Sequence, residues 1–199
     1  LSTAQVALMN TTQIGALTTT QVTSLNTTQV SSLSSTLLRG LSTSQLQALT
    51  TSGSNQIGAL TTGQLQALTT SSVASLLDAQ IAKLGTSQLA SLTTAQVQNL
   101  TTSQVAVLNN TDTNQLASLT TNQVQALTTG QLNGLSSTNL QALTTQQVAA
   151  LSTTTVAGLS TATISNLSTQ IGIGRVPGLA DGLLCERHVF RRIERLVVP

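Results

Sequence analysis

Cys185, Glu186 and His188 are the one close grouping of a nucleophile, an acid and a base in the 199-residue chain. A thiol beside an imidazole is the start of either a nucleophilic site or a metal site. Neither can be completed here. The chain has one Cys and one His, so no four-ligand zinc site and no catalytic triad can be assembled from it. Asp112, in LNNTDTNQ, is a lone carboxylate, too few for a calcium loop; it reads as a helix cap or a loop residue. Asn10, Asn26, Asn99, Asn109 and Asn166 each begin an Asn-x-Ser/Thr match, which a chain so rich in Asn, Ser and Thr produces freely. No phosphate-binding Gly loop, aromatic platform or basic stripe is present, which argues against nucleotide and nucleic-acid binding. No catalytic residue, metal or cofactor is expected, and the chain does not read as an enzyme.

Composition agrees with that. Charged residues are 6% of the chain, where about 25% is usual. The body, residues 1–174, carries only Arg39, Lys83, Asp78 and Asp112, which cancel; the net charge of +2 belongs to the last 25 residues. The wettable surface must come from Thr, Ser, Gln and Asn, which steer polyanions poorly. The single Cys rules out an intrachain disulfide. No run reaches the ~18 apolar residues of a membrane span. No signal peptide is evident, and Leu1 is already in register with the repeat, so a fragment of a longer protein is expected.

The elements that position these residues follow from one pattern. LTTAQVQNLTTSQVAVL, residues 92–108, states Leu-Thr-Thr-x-Gln-Val twice. The octad recurs from Leu1 to Leu167 in 20 complete units, with Val, Ile or Leu at position 6 in every one and Gln at position 5 in 15. The exceptions at position 5 are Leu37, Ser72, Asn139, Thr155 and Thr163. Two units, from Leu49 and Leu108, have eleven residues, and the first of them opens a 59-residue super-repeat. That period reads either as a superhelical turn or as an old duplication.

An unbroken helix fails, because eight residues overshoot two turns by about 80° and the Leu positions would spiral round the rod. Short restarted helices fit. Thr93 is a natural N-cap with Gln96 at N3, the capping box; Leu92 and Val97 then occupy the two positions of the hydrophobic staple. Thr101 with Gln104, and Thr120 with Gln123, repeat the device. Leu77 and Gly85 depart from the Ser/Thr/Asn cap column. In the longer units Gly53 and Asp112 stand three residues before Gln56 and Gln115, so the extra residues are expected to lengthen a loop ahead of the cap. Small residues precede many of the Leu positions (Ala16, Ser24, Ala48, Ala67, Gly134, Ala150), allowing close approach of the next unit. Two buried side chains cannot offset the ordering of eight residues, so units must stack on one another.

The expected fold is all-α: a solenoid of short capped helices, one per octapeptide, over residues 1–170, with a non-repeat tail at 171–199. The alternative is a β-solenoid, since Thr and Val favour strands and Gln ladders stabilise stacked ones; the opposite strand parity of positions 1 and 6 counts against it. In the tail, Phe190, Ile193 and Val197 are spaced for an amphipathic helix. A capping segment, a basic contact helix and a shifted reading frame all remain open for it.

The runs LTTAQVQNLTTSQVAVL, LTTGQLQALTT and LTTQQVAALST resemble the octapeptide arrays of large proteobacterial surface proteins labelled as adhesins or haem-utilisation proteins. The resemblance covers about residues 1–170. It implies a secreted, cell-surface repeat region, extracellular in location. Its partners would be neighbouring repeats of the parent protein and a glycan or host surface. The repeat body itself holds no His, Cys or Tyr and one Met, Met9, so it brings no set of haem ligands. The expected function is a non-enzymatic stalk or display surface. The alternative is a Thr-rich face for ice or polysaccharide on a β-solenoid.

Overall fold

Thr93 shows how one unit is built. Its backbone is extended (φ −69°, ψ 155°) and its side chain accepts the Gln96 N–H. Extended backbone suits a β-branched residue, and a hydroxyl at this point satisfies an N–H that has no partner inside the helix. The helix Thr94–Gln98 follows and closes at Asn99. Leu100 is buried, Thr101 is again extended, and the next helix, Thr102–Ala106, begins. The Thr pair that would weaken a long helix is what restarts a short one.

The computed structural model describes residues 2–108 and 115–170. Within them the protein is an all-α solenoid of eighteen short helices with no strand. The β-solenoid alternative is therefore not the architecture: cap and staple dictate the local geometry, and they outweigh the strand propensity of Thr and Val. Helices have four to six residues except the last, Thr161–Gln170. Cys185, Glu186, His188, Asp112, Asn109 and the tail helix expected around Phe190 lie outside the described residues.

Leu at position 1 and the apolar residue at position 6 face one continuous interior, from Val6 through Leu92 and Val97 to Leu167. The core is entirely aliphatic among the described residues. Helices three units apart pack together: Thr3–Ala7 with Thr27–Ser32, Thr19–Thr23 with Thr43–Ala48, and Thr94–Gln98 with Thr121–Ala126. Small residues make this approach close. A Cβ placed on Gly134 would collide with the Thr102 methyl of the preceding turn.

The eleven-residue unit from Leu49 differs from the sequence expectation. It holds turns and no helix, and Gly53 is not its cap. Thr50 takes that role from six residues away: its N–H donates to Gln56 Oε1 at 3.0 Å, and its hydroxyl accepts the Gln56 N–H at 3.3 Å. The inserted residues loop out between the two halves of the capping box. Gly53 and Asn55 make the loop by adopting positive φ, 62° and 42°, a conformation that Gly and Asn reach at little cost.

Candidate functional site

Short helices leave most of their backbone unsatisfied. A five-residue helix has orphan N–H groups at one end and orphan carbonyls at the other, and almost no interior. The position-5 glutamine answers both needs with one side chain. Gln96 Oε1 accepts the Thr93 N–H at 2.9 Å. Its Nε2 donates to the carbonyls of Leu65 and Leu68, each at 2.8 Å, at the C-terminal end of the helix Thr62–Ala67 one turn back. Gln104 does the same for Thr101 (2.8 Å) and for Val73, Ala74 and Leu76 (3.2, 3.1 and 2.7 Å). Gln123 joins Thr120 (2.8 Å) to Leu89 and Leu92 (2.8 and 2.7 Å). The hydroxyls of Thr93, Thr101 and Thr120 accept the N–H of their own Gln at 3.1, 3.1 and 3.2 Å.

The clamp recurs at Gln45, Gln56, Gln64, Gln80, Gln88, Gln131 and Gln147. Each of these amides is 8% exposed or less, and burial is tolerable because donor and acceptor are both used. The Nε2 bonds of these glutamines reach back 28 to 34 residues. They straddle the third and fourth preceding units, so one turn takes between three and four units. The 59-residue super-repeat therefore covers about two turns and is not a single one. At Leu77 and Gly85, which have no side-chain cap, Gln80 and Gln88 still accept the cap N–H, at 2.9 and 2.7 Å.

Capping explains the spacing of this column, and it hides the longer reach of the side chain. One signal in the sequence does carry the second half. A capping box accepts Glu as readily as Gln, yet none of the 20 units has Glu at position 5. A carboxylate can accept from the cap but cannot donate to a carbonyl one turn back.

The exceptions show what the clamp requires. Asn139, one methylene shorter, reaches only the Ala106 carbonyl, at 3.1 Å. Ser72, Thr155 and Thr163 turn their hydroxyls to those of their own caps, Thr69, Ser152 and Ser160. Leu37 is a buried apolar substitute. At Ser160 the missing acceptor comes from the turn behind: Asn133 Oδ1 takes the Ser160 N–H at 2.9 Å. Replacing Ser72 with Gln is expected to restore an acceptor for the Thr69 N–H and donors for Leu38 and Leu41, raising stability by about 1 kcal/mol. A urea titration would register this as a higher midpoint at unchanged slope.

No family model, curated protein or solved structure matches the chain. Among the described residues there is no group of three or more His, Cys, Asp or Glu able to hold a metal, and no helix is long and apolar enough to cross a membrane. Charges among these residues are confined to Arg39, Asp78 and Lys83, all exposed. The arrangement holds turns together and presents a sparsely charged, hydroxyl-rich exterior: Thr93, Thr94, Thr101, Thr102 and Ser103 are exposed while the Gln and Val between them are buried.

Proposed function

We propose that the chain is a non-enzymatic structural segment, a stalk or display surface in a secreted bacterial surface protein. The observation that supports this reading is the recurrence of the glutamine clamp. From Gln45 to Gln147 successive turns are joined by the same amide-to-carbonyl bonds, so reach is set by the number of octads and not by any one interface. The exterior adds a second property. Exposed Thr and Ser repeat on each unit, giving many weak, equivalent contact points for a glycan or host surface, where multivalency supplies the avidity. The placement at a bacterial surface rests on the resemblance of the octads.

A stalk must carry load. Pulling the full chain between its ends in a force spectrometer should release it in steps of one turn, about 100 Å of contour for roughly 30 residues. Smooth extension like that of an unfolded chain, with no steps, would refute the stalk reading.

A further inference from the structure

The glutamine clamp is missing between residues 127–135 and the turn that follows them. Thr155 and Thr163 hold position 5 there, and their hydroxyls pair with Ser152 and Ser160 of their own units. Among the described residues no side chain donates to the Leu127 or Leu135 carbonyl, and one side chain alone hydrogen-bonds across this seam. Asn133 accepts the Ser160 N–H on Oδ1 at 2.9 Å and donates from Nδ2 to the Gly158 carbonyl at 3.4 Å. Asn133 is exposed, as is Gly134 beside it. Together they are the one Asn-Gly pair in the chain. In such a pair the second residue has no Cβ to keep its backbone nitrogen from the Asn side-chain carbonyl carbon.

We propose that Asn133 is a self-modification site, its amide converted to an acid by the Gly134 nitrogen at a rate set by opening of this seam. The bond from Gly134 N to Asn133 Cγ forms, the Cγ–Nδ2 bond breaks, and ammonia leaves with the proton from the Gly134 nitrogen. Water then opens the cyclic imide. Breaking the new bond gives an aspartyl product; breaking the original peptide bond gives an isoaspartyl one, with an extra methylene in the backbone. Water is the only co-reactant. The closed turn withholds both partners: the Gly134 N–H is held by the Gly130 and Gln131 carbonyls at 3.1 and 3.2 Å, and the Asn133 amide by the next turn. Attack therefore requires local opening at the end of the helix Thr129–Asn133, where neither Thr155 nor Thr163 supplies a clamp. Conversion outlasts the opening. Either product lacks the Nδ2 donor for Gly158, and the isoaspartyl backbone carries the acceptor away from Ser160. This goes beyond the stalk reading and holds whether or not the chain bears load.

The test is peptide mapping by mass spectrometry after timed incubation of the full chain at mildly alkaline pH. Acid at position 133, part of it isoaspartyl, is expected to accumulate ahead of acid at Asn99, which is also exposed but is followed by Leu100. Thr155→Gln separates a reaction gated by the seam from one set by the dipeptide alone. The new amide would donate to the Val124 and Leu127 carbonyls and leave both partners of Asn133 untouched. It should slow conversion at 133 about fivefold, the worth of one hydrogen bond, with Asn99 unaffected. Conversion at 133 no faster than at Asn99, or a rate at 133 indifferent to Thr155→Gln, would each overturn the proposal.

Discussion

Replacing Gln96 with alanine should lower the unfolding free energy by about 2–4 kcal/mol, whereas the same change at Gln13 should cost about 1 kcal/mol or less. Both residues occupy position 5 and both complete a capping box. They differ in what lies behind them. Gln13 is exposed, so water replaces its lost bond. Gln96 is 2% exposed, and its loss leaves the buried Leu68 carbonyl without its Nε2 donor and the buried Leu65 carbonyl with only the Leu68 N–H. Leaving a buried polar group unpaired costs more than a made bond gains. Gln96→Glu separates the two halves of the clamp. It preserves the cap acceptor and removes the donor, so it should destabilise at least as much as alanine, although Glu is a good N3 residue. Urea unfolding of the three variants decides the matter. Equal losses for Gln96→Ala and Gln13→Ala would mean that the bond between turns contributes nothing.

Leu65→Ala should cost about 2–5 kcal/mol. Leu65 is fully buried at position 6 of its unit, and the Gln96 amide is anchored on its carbonyl. Truncation opens a cavity in a core whose neighbours are themselves tied by clamps and cannot collapse into it. Leu65→Val should be far milder, below about 1.5 kcal/mol, because Val already fills this position at Val97, Val105, Val124 and Val148. Leu77, 46% exposed, offers the contrast, with an alanine replacement costing about 0.5 kcal/mol or less. Hydrogen exchange on Leu65→Ala would show loss of protection concentrated in the helices Thr62–Ala67 and Thr94–Gln98, joined through Gln96. Uniform loss along the chain would contradict interfaces that act turn by turn.

The helices were legible because cap, N3 residue and staple all lie within six consecutive residues. Thr93, Gln96, Leu92 and Val97 state their geometry locally. The inward direction of Leu and Val follows from the same hexamer. The clamp was not legible as a contact, since Gln96 and Leu65 are 31 residues apart and nothing local names the partner. Only the consistent choice of Gln over Glu hinted that a donor was needed. The long unit misleads for a related reason. Gly53 sits at the usual cap spacing from Gln56, but the true cap is Thr50, which takes the first position after its Leu as the caps of the described octads do. The super-repeat defeated sequence reasoning because 59 residues is a count along the chain, whereas a turn is set by how many short helices enclose an aliphatic core.

The clamp also bears on how such a chain can change length over generations. Gain or loss of a whole octad shifts every later glutamine to a different partner, yet the partner is always a position-6 and a position-1 carbonyl. Recombination between misaligned copies therefore yields another clamped solenoid, shorter or longer by a fixed increment. A three-residue insertion breaks that increment, and the unit from Leu49 shows how it is absorbed. Gln56 still reaches Val22 and Leu25, the positions its neighbours use, because the surplus is looped out between Thr50 and Gln56. The tract can be edited in units of eight residues without repair, and in other lengths only where the excess falls between a cap and its glutamine.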